Sequence, residues 1–357
     1  MYDVYGNPIQ QSTANCYVVR EPGQYKFPMV YGNAIKNGKV NYAAFTNNDW
    51  AYSHDFVNSW GDVIANPYLT FISKGRTQII NKDCDSISNV SEDFSTEQPY
   101  ITFTVDSVPQ EGGNVIISHV GAQKGSYESW SWHIWLWPHD LTPVEITNAT
   151  GVKYNIMPVN LATKLDDGTV YGTGTTGYKN WFYQFGRPMP LLCPASYNST
   201  SNHGTGSITI ADAADSLELG IRNPKLFYKG SSSHNNNWFK TNSLKTYNLW
   251  DASLTTTGSS DNDTVKTVYD PCPVGWKIPN GNTFTGFSTS NIVGSFANGY
   301  KFKKNSSDTT GVFFPASGFR SANNGSLYYV GSKGYVGSSA MTLYGNIYYL
   351  YFDDGDV

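Results

Sequence analysis

Four tryptophans and two histidines share one extended run, Trp130-Ser-Trp-His-Ile-Trp-Leu-Trp-Pro-His-Asp140. Successive side chains of a strand point to opposite faces, so the run puts Trp130, Trp132, Ile134 and Leu136 on one face and His133, Trp135, Trp137 and His139 on the other. The second face suits an aromatic platform for a sugar ring, or His133 and His139 as metal ligands. Buried between two layers, the same strand is plain core and His133 a hydrogen-bonded core histidine, and this is the reading we favour. Asp353, Asp354 and Asp356 offer carboxylates for a glycosidase pair or a calcium site. Yet Asp-Asp-Gly-Asp after a tyrosine-rich strand is also the sequence of a tight hairpin turn, with Gly355 supplying positive φ. Asn235-Asn-Asn-Trp238 and Ser321 to Tyr329 are polar loops carrying aromatics, a composition suited to stacking and hydrogen bonding against carbohydrate or a protein epitope.

Catalytic signatures are missing: there is no Gly-x-Ser-x-Gly elbow, His-Glu-x-x-His helix, Walker loop or Rossmann fingerprint. Cys16, Cys84, Cys193 and Cys272 lie far apart, without a Cys-x-x-Cys pair or zinc spacing. Buried thiols are expected, with one or two disulfides the alternative. The expectation is therefore a protein that is not an enzyme and takes no cofactor or metal.

The elements that position these residues read as strands. Apolar and β-branched runs recur at Asn15 to Val19, Tyr68 to Ile72, Thr77 to Ile80, Tyr100 to Val105, Asn114 to Val120, Trp130 to Trp137, Ser207 to Ile210 and Tyr348 to Phe352. Helical candidates are short, at Ser53 to Trp60 and Ala211 to Leu219. Among 357 residues, aromatics match charged residues at 15% each, which favours strands and turns over helices. The stretches Asp166 to Thr176 and Ser253 to Asp263 read as linkers, the second the better boundary. It divides the chain into a β region over 1–252, with a further break near 95, a linker at 253–263, and a module over 264–357.

A net charge of −4 offers no basic stripe for a phosphate backbone, so nucleic acid is not an expected partner. No apolar run approaches the roughly 18 to 20 residues that cross a bilayer. The chain opens Met1-Tyr2-Asp3-Val4 without a basic or apolar leader, so either an export signal was removed or none was used.

The final stretch carries Tyr269-Asp-Pro-Cys-Pro-Val-Gly-Trp-Lys-Ile-Pro279, Phe313-Phe-Pro-Ala-Ser-Gly-Phe-Arg320, Gly325-Ser-Leu, Gly334-Tyr335, Ser338-Ser339 and Tyr348-Tyr-Leu-Tyr-Phe352. This resembles the Fibrobacter succinogenes major paralogous domain of Bacteroidetes surface proteins. The resemblance implies a small C-type-lectin-like α+β fold in which Cys272, Pro273, Gly275, Trp276 and Pro279 anchor the core. The larger region is similar to fimbrillin-like proteins, through Asn15-Cys-Tyr-Val-Val19, Pro22-Gly-x-Tyr-x-Phe-Pro28, Gly32-Asn-Ala34, Gly113-Asn-Val-Ile116, Trp130-Ser-Trp-His-Ile-Trp135, Met157-Pro-Val-Asn-Leu161, Tyr183-Gln-x-Gly-Arg187 and Asn248-Leu-Trp-Asp251. That likeness implies a mainly β chain with a β-sandwich-like N-terminal region. Two departures stand out. Val336-Gly337 replaces an aromatic pair before Ser338-Ser339, which leaves a smaller side chain at an expected core position, and the family's closing strand, with the cysteine expected to pair with Cys272, is not present before Val357.

Both resemblances imply surface proteins with no defined catalytic residues, and relatives of the C-terminal module include loop-diversified lectin-like proteins of bacteria and phages. The expected function is thus a non-enzymatic adhesin or receptor-binding protein, extracellular at an outer cell surface or on a phage virion, that meets a glycan or surface-protein receptor. The alternative is a structural subunit of a fimbria or virion that assembles by strand addition, with itself or another chain as partner; a carbohydrate-active enzyme is the third. By analogy with variable lectin loops, the expected contact residues are Asn323, Asn324, Tyr328, Tyr329, Tyr344 and Asn346.

Overall fold

The computed structural model describes residues 12–44, 74–96, 98–121, 128–165, 178–191, 208–230, 237–240, 245–305 and 307–357. Ser53 to Trp60, Tyr68 to Ile72, Asp166 to Thr176, Asn235, Asn236 and Cys193 lie outside the described residues.

The protein is mainly β. Four strands form one sheet in the order Cys16–Val19, Trp130–Leu136, Gly113–Gly121, Gly75–Lys82. The first pair is parallel and the others antiparallel. A second, antiparallel sheet places Tyr100–Val105 between Gly23–Pro28 and Ile87–Asp93. Tyr100–Val105 alternates as a half-buried strand must: Ile101, Phe103 and Val105 are buried, while Thr102 and Thr104 face outward. Both sheets contribute to one core cluster, where Phe27 of the second sheet meets Tyr17 at 4.6 Å and Trp132 at 5.3 Å between ring centroids.

The tryptophan strand lies inside this arrangement. All seven residues of Trp130–Leu136 are buried, because the strand is central in its sheet and covered on both faces. Trp130, Trp132, Ile134 and Leu136 join the core between the sheets, whereas Trp135 packs with Trp137, Leu141, Val159, Leu165 and Tyr178 on the opposite face. The helix expected over Ala211 to Leu219 is shorter and shifted: Ala211 belongs to the strand Thr209–Ala211, and the α-helix covers Leu217–Ile221. Ser216 Oγ accepts from the Leu219 amide at 3.1 Å, which starts the helix late, and Pro224 limits its continuation.

Toward the C-terminus, Ile292–Val293, Gly299–Phe302 and Val312–Pro315 form an antiparallel sheet, and Lys333–Met341 pairs with Ile347–Asp353 as a long hairpin. Phe302, Phe314, Leu350 and Phe352 bury a common cluster that also takes in Ile146 and Ile156 of the hairpin Val144–Thr147/Lys153–Ile156. The expected α component is not seen in the described residues of 264–357, whose helical content is one 3₁₀ turn at Thr289–Asn291. Short period-2 runs broken by Gly, Asn and Ser leave no stretch on which an amphipathic helix can form.

The loop around Cys272 is held from several directions. Asp270, fully buried, accepts from the Cys272 amide at 2.7 Å and the Ile278 amide at 3.0 Å. Lys266 Nζ donates to the carbonyls of Cys272, Pro273 and Trp276. Asn15 and Asn33 donate to the carbonyls of residues 267–270 from the other side, and Cys16 bridges Pro273 in parallel. Gly32, at φ 38°, stands so close to the Val268 carbonyl that a Cβ there would overlap it. Asp261 is tied back to the hairpin at 144–156, accepting from Asn148 Nδ2 at 2.7 Å and Tyr154 Oη at 3.0 Å.

Candidate binding site

Three of the candidate sites resolve into structure. His133 Nε2 bonds to Asn114 Oδ1 at 2.9 Å, stacks on Trp181, and is held neutral by burial, its pKa pushed down to about 3. His139 turns to the Gln110 carbonyl instead, so the two histidines do not converge on a metal position. Because both faces of the tryptophan strand are covered, it presents no platform to a sugar. Asp353 and Asp356 exchange backbone hydrogen bonds of 3.0 and 3.3 Å around Gly355 at φ 121°, which is the tight turn. Trp238 is buried too, donating from Nε1 to the Phe185 carbonyl. Cys16, Cys84 and Cys272 are free thiols, and burial pushes the pKa of each upward, away from the reactive thiolate.

The polar loops of the C-terminal hairpins behave differently. Asn323 and Asn324 are exposed at the turn between Phe319–Arg320 and Leu327–Tyr328, and Asn324 Nδ2 donates weakly to Tyr328 Oη at 3.4 Å. Tyr329 is 42% exposed with φ 60°, a left-handed conformation that an aromatic residue seldom adopts. Tyr344, 80% exposed, and Asn346 occupy the tip of the long hairpin, beside Leu343 at 69%. The six expected residues therefore fall in two groups, one at each of two turns.

Between those groups runs a surface that motif matching missed. In the Lys333–Met341/Ile347–Asp353 hairpin, Tyr335 pairs with Tyr351 and Gly337 with Tyr349. Directly paired residues share a face, so the odd positions form a tyrosine ladder while Gly334, Leu350 and Phe352 turn to the core. Tyr335 contacts Tyr349 and Tyr351, each at 5.4 Å, and Phe319 at 5.0 Å. Phe319 in turn stacks on Tyr328 at 5.8 Å and meets Tyr329 at 5.9 Å. Lys333 Nζ donates to Tyr351 Oη at 2.7 Å and Asp353 Oδ2 at 2.9 Å, and lies 5.1 Å above the Tyr329 ring. Gly337, expected as a weakened core position, instead lies on the ladder face opposite Tyr349, where the lack of a side chain leaves that ring half exposed. The signal was the alternation Tyr349-Leu350-Tyr351-Phe352.

The ladder borders a cleft of about 1080 Å³. Its walls include Phe319, Arg320, Tyr335, Gly337, Asn346 and Tyr349 on one side and Tyr154, Asn155, Asn160, Phe182, Trp276 and Lys277 on others. Of the expected contact residues, Asn346 lines it, and Tyr328 and Tyr329 reach it through Phe319. Asp263 is the carboxylate among the described lining residues, and it is paired with Lys277. These walls come from segments far apart in sequence, which is why no local motif marked them.

No family model, curated protein or solved structure matches this chain.

Proposed function

We propose that this protein is a non-enzymatic adhesin or receptor-binding protein, displayed at a Bacteroidetes cell surface or on a phage virion, that recognises a glycan or a surface protein. In this reading the chain is a β-sandwich-like region followed by a lectin-like binding module. The observation that carries it is the concentration of exposed rings: Tyr329, Tyr344 and Tyr349, with Leu343, are four of the six exposed large hydrophobic residues among those described. Exposed apolar side chains gathered beside a concave aromatic surface mark binding sites rather than solvated loops. Tyrosine adds large contact area and a hydroxyl at low entropic cost.

Binding is favoured over hydrolysis by the charge distribution. Glycoside cleavage uses two carboxylates flanking the scissile bond, whereas the described lining offers Asp263, already engaged by Lys277. The test is binding of the purified chain to a glycan array and to intact Bacteroidetes cells, beside a variant with alanine at Tyr328, Tyr329 and Tyr344. Saturable binding that the variant loses supports the reading. Binding unchanged in the variant removes the site assignment, and filament formation without binding points to the structural subunit.

A further inference from the structure

We infer that the ligand of this site is a neutral, linear oligosaccharide, one end of which enters the aromatic cleft while the chain runs outward over Tyr349, Tyr335 and Phe319. The inference rests on the glycan form of the reading above and adds the class of sugar and its path.

Size is the first ground. Small-ligand sites occupy roughly 300 to 1,000 Å³, and a cleft of about 1080 Å³ exceeds what one pyranose fills. Continuity is the second. The rings from Tyr329 through Phe319 and Tyr335 to Tyr349 follow one another at centroid separations of 5.9, 5.0 and 5.4 Å, and the last three of these residues line the cleft. Neighbouring rings are inclined by 43°, 73° and 58°, so the row offers successive sugar units of one chain a mixture of ring faces and edges, against which a pyranose packs its C–H groups while its hydroxyls point to the flanks. Amides at Asn155, Asn160 and Asn346 stand along the walls to meet those hydroxyls.

Charge is the third ground, and it selects a neutral chain. Lys277 is paired with Asp263 and also donates to the Thr264 carbonyl at 2.8 Å. Lys333, beside the ladder, is held by Asp353. A carboxylated sugar would compete with Asp263 for Lys277 and with Asp353 for Lys333, whereas a neutral one leaves both ion pairs in place. A fourth observation is independent of the rings. Asn180 Nδ2, Tyr183 Oη and Trp250 Nε1 are buried without a hydrogen-bond partner among the described residues, and all three residues belong to the cleft walls. Native interiors rarely carry such groups, and each becomes available to an acceptor oxygen only when the wall side chains around it shift.

Trp181, Trp250 and Trp276 line the cleft, so intrinsic tryptophan fluorescence of the full chain reports its occupancy. The probes are cello-, manno- and N-acetylchito-oligosaccharides from monosaccharide to hexasaccharide, with oligogalacturonides of matched length as the charged arm. The expected result is a dissociation constant that falls about tenfold or more from disaccharide to hexasaccharide in one neutral series, with oligogalacturonides binding no tighter. Tyr349→Ala, at a half-exposed position, should leave the melting temperature unchanged and remove about tenfold of the hexasaccharide affinity. Saturable binding that is independent of length, or tighter for oligogalacturonides, overturns this inference while the carbohydrate reading stands. Absence of saturable binding to every sugar, in a chain that still melts cooperatively, overturns this inference together with the glycan form of the reading above and leaves a surface protein as the receptor.

Discussion

The side-chain amide of Asn15 donates to the backbone carbonyl of Asp270 at 2.8 Å, joining residues 255 positions apart. The same nitrogen reaches the Val268 carbonyl at 2.7 Å, and Asn15 Oδ1 accepts from Trp130 Nε1 at 3.0 Å. One buried amide thus ties the edge of the main sheet to the loop that carries Cys272. Asn15→Ala strands two carbonyls and an indole N–H in the interior, so a loss of about 3 kcal/mol is expected. Urea unfolding monitored by tryptophan fluorescence measures it, and a loss well under ~1 kcal/mol would show that this tie is dispensable.

The two glycines of the long hairpin should respond in opposite ways to the same methyl group. A Cβ on Gly334 would overlap the Phe352 ring on the core face. On Gly337 it would meet the Cδ1 atom of Ile347 at 2.9 Å, the movable end of a flexible side chain. Gly334→Ala is therefore expected to destabilise by about 2 kcal/mol and Gly337→Ala by well under ~1 kcal/mol. Paired thermal melts decide, and equal effects would contradict the assignment of the two faces.

His133 gives the fold an acid limit. Its folded-state pKa lies below the ordinary value of 6.5, at about 3, because burial disfavours the imidazolium. The unfolded chain binds a proton there first, so this group's contribution is complete above about pH 6.5 and is lost as pH falls toward 3. The full shift corresponds to on the order of 5 kcal/mol. His133→Gln keeps a donor for Asn114 Oδ1 without titrating, and should flatten the slope of stability against pH in that window, as measured by urea titrations across it.

Lys333 holds the ladder in shape rather than holding up the fold. Its ammonium joins Tyr351 and Asp353 and lies over the rings of Tyr329 and Tyr351, at a partly exposed position. Exposed ion pairs add little to stability. Lys333→Met should therefore leave the melting temperature nearly unchanged while weakening binding to whichever array glycan the chain selects by roughly threefold, the scale of a surface cation–π contact. A fall in melting temperature without a change in binding would reverse these roles.

Much of the strand content was legible because it is local. Tyr100 to Val105 coincides with the observed strand, and Trp130 to Trp137 overruns it by one residue, since β-branched and aromatic runs bounded by turn residues need little context. Ala211 to Leu219 misled because its Ala, Leu and Glu residues carry helix propensity, while pairing of Thr209–Ala211 with Leu226–Tyr228 and the late Ser216 cap override it. The expected contact residues were chosen by loop composition, which located two turns and passed over Phe319, Tyr335, Gly337 and Tyr349 between them.

The sequence by itself determined the class, mainly β, and the two faces of the tryptophan strand, because period-2 side-chain direction follows from backbone geometry alone. Tertiary structure decided that both of those faces are covered, that the tyrosine face of the last hairpin is open, and that the cleft exists at all. Each depends on which distant segment packs against which face: Phe302 and Phe314 claim Phe352 for the core and leave Tyr349 outside, and segments as far apart as Tyr154 and Tyr349 close one cavity. Exposure is a property of what covers a residue, and the covering segments here lie up to hundreds of positions away.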